Sequence, residues 1–107
     1  TYTGTVIASE AWGTPHQIME VPPARVHSWE ELFHRTGAGD QFVIFNDQNR
    51  KAFDQWAGHR AIGVVYHPEF EARGNYVPSK LSTRYDAFIY IENTTALSPI
   101  RVENTVL

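Results

Sequence analysis

The sequence predicts a small strand-rich α+β domain that closes into a sandwich or barrel. Two observations carry that expectation. Five or six short segments are rich in Val, Ile, Thr and aromatic residues and are separated by Gly- and Pro-containing turns. Only one or two stretches carry helix signals. Length adds a third: 107 residues leave room for one domain, read here as spanning 1–107. Strand-rich chains of ~100 residues tend to close into a sandwich or barrel.

Each element has a local reason. Residues 2–8 (YTGTVIA) read as a strand, and 9–15 as a loop broken by Gly13 and Pro15. Residues 16–21 (HQIMEV) make a short strand ended by Pro22 and Pro23. Ser28 is placed to cap a helix, with Glu31 at the capping-box position and Gly37 and Gly39 as stops. Residues 41–46 (QFVIFN) form a nearly continuous apolar run, the mark of a buried strand. In the turn before it, Gly39 can take positive φ and Asp40 can bond nearby backbone amides. Val43 and Phe45 share one face of that strand.

Residues 47–59 read as one helical turn or a long loop, with Phe53 and Trp56 three apart. Residues 61–66 (AIGVVY) predict a second apolar strand, paired beside 42–45, with Gly63 permitting a bulge. Residues 67–82 carry Pro68, Gly74 and Pro78 and read as an extended loop. Residues 85–92 (YDAFIYIE) predict a strand, and 99–102 a last short one.

Composition narrows the function classes. Hydrophobic residues at 42% and charged residues at 20% are ordinary for a globular protein. Aromatics, at 13%, exceed what a small core needs, so some are expected to face a ligand. The absence of cysteine excludes a disulfide scaffold, a thiolate zinc site and a Cys nucleophile, and fits a cytoplasmic location. No apolar run approaches the ~20 residues of a membrane span, so no membrane partner is expected. Thr1 is not Met, which reads as a chain processed or excised from a larger protein. The formal charge of −3 excludes a uniformly basic nucleic-acid protein. Its distribution is uneven: residues 48–84 are net positive between two acidic flanks.

No catalytic constellation stands out. His16, His27, His34, His59 and His67 lack the i, i+4 spacing and the HExxH pattern of a metal site, and no metal or cofactor is expected. Glu30 and Glu31 at a helix start are dipole partners before they are an acid–base couple. Ser9, Ser28, Ser79 and Ser82 lack a nucleophile-elbow context. Gly37-Ala38-Gly39 precedes a strand, unlike a phosphate loop.

Two resemblances go further. FVIFNDQN and GVVYHPEF…GNYV resemble the C-terminal half of small fungal guanyl-specific ribonucleases. That implies an endoribonuclease with His67 and either Glu30 or Glu31 in acid–base roles. Gln41 or Phe42 stands where those enzymes carry Arg.

A longer pattern runs from AWGTPH through GAGDQFVIFN and GHRAIGVVYHPEF to RYDAFIYIENTTALSPI. It resembles the PUA-like superfamily, specifically its EVE branch, which is related to YTH domains. The motif positions are Trp12 to Pro15, Gly39-Asp40 into Phe42, the run from Ala61, and Arg84 to Ile91 with Pro99-Ile100.

The resemblance implies a DNA- or RNA-binding module with no catalysis of its own. It would flip a modified base, modified cytosine or N6-methyladenine, into an aromatic cage. Trp12, Thr14, Phe45, Asn46, Trp56 and Tyr66 would hold the base. Arg50, Lys51, Arg60, Lys80 and Arg84 would hold the backbone. Such a module would serve as the specificity part of a modification-dependent restriction nuclease or work with another effector. A barrel binding a small ligand or a protein is the alternative outside nucleic acids.

Overall fold

Hydrogen bonds between distant segments, more than local propensity, set the architecture. The computed structural model describes residues 1–98. Among them are seven strands and three short helices. Strand β1 (Thr3–Ala8) pairs antiparallel with β2 (Gln17–Val21), placing Ile7 opposite Ile18 and Val6 opposite Met19. Helix α1 spans Trp29–Arg35. Strand β3 (Gln41–Ile44) follows, and an Arg50–Phe53 3₁₀ turn leads to β4 (Ala57–Arg60). A 3₁₀ turn at Pro68–Phe70 runs into α2 (Glu71–Gly74). Then come β5 (Tyr76–Ser79), α3 (Leu81–Arg84), β6 (Ala87–Tyr90) and β7 (Asn93–Thr94).

The strands form three small sheets, ordered β2-β1-β7, β3-β6 and β4-β5. No closed barrel forms among the described residues. The expected α+β class stands and the barrel does not. Residues 61–66 are not a strand either. Val65 makes one isolated bridge to Ser9, and Asn75 takes the polar groups of Ala61 through its backbone carbonyl and side-chain amide. The partner of β3 is β6, in the register Gln41↔Tyr90 to Ile44↔Ala87. A Cβ on Gly63 would meet nothing within 4 Å, so that glycine marks no close approach. Within the stretch expected to be an extended loop, β5 and two short helices form. The strand expected at 99–102, with Pro99 and Ile100, lies outside the described residues.

Local signals fared better around α1. The Ser28 hydroxyl accepts the Glu31 N–H at 3.2 Å, as an N-cap should. The reciprocal bond is displaced by one residue, because Glu31 accepts the N–H of His27. Gly39 has φ +69°, the left-handed turn expected before β3. Asp40 reaches across to the Glu92 N–H at 2.8 Å, a long-range bond instead of a local one. Gly4 is needed for a different reason: a Cβ there would collide with the Thr94 backbone.

Helix α1 covers one face of β3 and β6. Trp29 and Phe33 pack with Phe45, Leu81 and Tyr90, and Val43, Phe53 and Phe88 join from the edges. A second cluster gathers Ala8, Met19, Val21 and Tyr66. On the other face of β3-β6, Phe42, Ile44 and Ile89 are exposed.

Arg60 ties these parts together. Its Nε donates to Glu71 Oε1 at 2.5 Å and to Tyr76 Oη at 3.1 Å. Nη1 donates to the carbonyls of Thr1 and Tyr2, each at 2.9 Å, and Nη2 to that of Pro22 at 2.8 Å. Both charged side chains are 2% exposed. Arg60→Met is therefore expected to destabilise the fold by ~3–5 kcal/mol, since it strands a buried carboxylate. Urea denaturation reads this directly, and a change within ~0.5 kcal/mol, the range of surface substitutions, would refute the role.

Candidate active site

Two histidine–carboxylate pairs are built from residues far apart in sequence. The first is closed. Glu30, in the first turn of α1, is 2% exposed. Its Oε1 accepts the Arg60 backbone N–H at 2.9 Å, and its Oε2 lies 2.7 Å from His59 Nδ1. A carboxylate only accepts, so Nδ1 carries the proton. Nε2 lies 3.0 Å from the Tyr85 hydroxyl, so it too is paired. Both ring nitrogens are occupied, and the rings of Tyr85 and Phe88 meet His59 edge-on. This arrangement pins α1 to β4.

The second pair is open. His34, in the last turn of α1, points Nδ1 at both oxygens of Glu92, at 3.0 and 2.9 Å. The same acceptor argument puts the proton on Nδ1 and leaves Nε2 as the basic nitrogen. Nε2 has no hydrogen-bond partner among the described residues. The His34 side chain is 39% exposed and Glu92 31%. Tyr2 stacks on the imidazole, with centroids 3.5 Å apart and planes 9° from parallel.

Glu92 is itself held in place. The Tyr90 hydroxyl donates to Oε1, and the Asp40 carboxylate accepts its N–H. The Tyr90 bond, and after it the His34 bond, hold the Glu92 carboxyl below its ordinary value despite partial desolvation. Burial first, and the Glu92 contact second, push the Tyr90 phenol upward, so it stays a donor. The result is a chain from phenol to carboxylate to a partly exposed imidazole whose Nε2 has no partner among the described residues. Such a chain can take a proton from water.

The cage residues do not come together. Phe45 is core, 6% exposed. Tyr66 is 1% exposed, and burial pushes its phenol up to about 12. Asn46 is a turn former, its Oδ1 accepting the N–H groups of Gln48 and Asn49. Thr14 closes its own loop on Ala11. Trp12 is 81% exposed in that loop, so it is not core. Trp56, 70% exposed, sits under Lys80 in a cleft that also includes Thr83 and Arg84 and none of the other five cage residues.

The basic set divides likewise. Arg60 is buried in its ion pair. Arg50 donates to the Ser82 carbonyl and Arg84 to the Ser79 hydroxyl. Lys80 lies 3.7 Å from Asp54, and Lys51 is exposed. The ribonuclease set also separates. Glu31 binds Arg35, Glu30 binds His59, and His67 lies 3.6 Å from Glu69.

Residues 1–94 match the family described as erythromycin esterase. The chain belongs to the erythromycin esterase family. No solved structure matches it. The family match overturns the PUA-like, EVE-type assignment, and with it base flipping, modified-base binding and a restriction role. The expectation of no chemistry gives way to membership of a family named for a hydrolase. Among the described residues no helix is long and apolar enough to cross a membrane.

The two histidine–carboxylate pairs of this esterase-family chain leave little mark in the sequence because their partners are distant. His34 and Glu92 are 58 residues apart, and Glu30 and His59 are 29 apart. No spacing rule links them. One local signal was available: Glu30 follows the capped first helical residue, at a position that packs inward.

The depressed Glu92 carboxyl has a pH consequence. Its charged form stabilises the fold above the ordinary value of 4.5, and that contribution is lost as pH falls through the lowered folded value. Between about pH 7 and about pH 3, wild type should lose more stability than Glu92→Gln. Urea melts of both proteins at both pH values check this, and equal losses would count against the assignment.

Proposed function

We propose that this protein hydrolyses an ester, with His34 as the general base and Glu92 as its positioning residue. The family match over residues 1–94 carries the reaction class. The partly exposed His34 side chain, whose Nε2 has no partner among the described residues, supports the choice of base.

A water donates its proton to His34 Nε2 as its oxygen attacks the ester carbonyl carbon. Glu92, kept ionised by Tyr90, offsets the positive charge that develops on the ring. The tetrahedral intermediate collapses, and the C–O bond to the alcohol breaks. The imidazolium returns the proton to the departing alkoxide, leaving an acid and an alcohol. Erythromycin, the substrate in the family's description, is the ester to test first.

A second reading uses Glu30, His59 and Tyr85 as the relay, favoured by its three-member chain ending in a hydroxyl. Burial of Glu30 and its bond to the Arg60 N–H argue that this set is structural.

His34→Gln should lower kcat/KM for ester hydrolysis by ~10²–10⁴ with the fold intact, the usual worth of a general base. Glu92→Gln should lower kcat and shift the acidic limb of the pH–rate profile. His59→Gln should lower the melting temperature and leave kcat/KM of the folded fraction near wild type. Loss of hydrolysis in folded His59→Gln with His34→Gln active would exchange the two roles. Full activity in both variants would refute both assignments.

A further inference from the structure

We propose that Tyr2 is a positioning residue for His34, fixing the plane of the imidazole and stabilising the positive charge it gains when Nε2 takes a proton. The inference rests on the reading of His34 as the general base.

The bond to Glu92 does not by itself aim Nε2. Nδ1 meets both carboxylate oxygens, at 3.0 and 2.9 Å, which holds one corner of the ring. The ring can still tilt about that corner and swing Nε2. A second contact is needed to stop it, and the Tyr2 phenol supplies one. The two rings lie 9° from parallel with centroids 3.5 Å apart. That spacing is the thickness of one ring, so they overlap face to face. Neutral aromatic pairs favour offset or edge-on arrangements, with centroids about 4.5–7 Å apart. A cation is drawn instead to the electron-rich face of a ring. The square stack therefore suits an imidazolium better than an imidazole, which makes it complementary to the charged ring that forms during the reaction.

Tyr2 can serve as a fixed wall because its backbone is fastened to the same residue that holds Nδ1. Its N–H donates to the Glu92 carbonyl at 3.2 Å, and its own carbonyl accepts from Arg60 Nη1 at 2.9 Å. One residue further on each side, Thr3 pairs with Asn93 in the parallel β1–β7 ladder. The Tyr2 ring is half-buried and packs against the cluster that includes Trp29 and Phe33. Tyr2 and Glu92 thus reach His34 from one hydrogen-bonded unit, the first holding the plane of the ring and the second its Nδ1 corner.

Proton NMR of the full chain and steady-state hydrolysis of erythromycin test the proposal, and the NMR arm needs no substrate. In wild type the carbon-bound ring protons of His34, identified by their loss in His34→Gln, should resonate upfield of those of an unstacked histidine. Tyr2→Leu keeps apolar volume but no ring face. It should abolish the upfield shift and lower kcat by ~10–10²-fold with KM little changed, the scale of a misplaced catalytic group. Tyr2→Phe should rescue both the shift and kcat. In a His34→Gln background, Tyr2→Leu should lower the residual rate no further, because it acts through the imidazole. An equal loss in both backgrounds, or a Tyr2→Phe as impaired as Tyr2→Leu, would overturn the proposal. An unshifted His34 resonance in wild type, or full kcat in Tyr2→Leu beside an inactive His34→Gln, would overturn it and leave the base assignment standing. Full activity in His34→Gln would overturn the base assignment and this proposal with it.

Discussion

A single buried guanidinium ties together distant parts of the described fold. Arg60 spends its donors on one carboxylate, one phenol and three backbone carbonyls, from Thr1, Tyr2 and Pro22 on one side and α2 and β5 on the other. Its own N–H goes to Glu30 in α1. Lysine would not substitute, since a point charge cannot address this many fixed acceptors at once. Buried charges cost several kcal/mol when unpaired, so the network forms as a unit. The two core clusters are each small. What registers them to one another is polar, and it leaves little freedom in where α1 sits relative to the strands.

That placement of α1 creates two histidine environments from one chemistry. Glu30 and His59 meet beneath the helix, where both ring nitrogens find partners and the side chains are 2% and 15% exposed. His34 meets Glu92 at the far end of the same helix, where the ring is stacked on Tyr2 and its side chain is 39% exposed. Access, more than pairing, separates a pin from a base. An imidazole whose two nitrogens are already bonded has nowhere to put a proton taken from a substrate water.

The PUA-like resemblance failed for an instructive reason. Its motifs were short strings of turn and strand residues, and those encode local geometry that many folds share. Gly39 does take the expected left-handed turn, and β3 does follow it. The resemblance needed more than that: a strand at residues 61–66 beside β3, and aromatic residues converging on one pocket. Instead Phe45 and Tyr66 were drawn into separate cores, while Trp12 and Trp56 were left on the surface. An excess of aromatics signals that some face outward but not that they face one another.

What the sequence determined by itself was local. The Ser28 cap, the left-handed glycine before β3, the strands at Thr3–Ala8 and Gln17–Val21, and the shared inward face of Val43 and Phe45 all follow from interactions within a few residues. Tertiary structure alone decided the partner of β3, the burial of Arg60, and which two of five histidines meet a carboxylate far away in sequence. Propensity and periodicity report how a residue suits its neighbours along the chain. They are silent about a bond such as His34 to Glu92, whose ends are brought together only when α1 packs across β3 and β6. The hydrogen bonds that matter for chemistry here are of that second kind, since an imidazole is oriented by whatever acceptor the fold delivers to its other nitrogen.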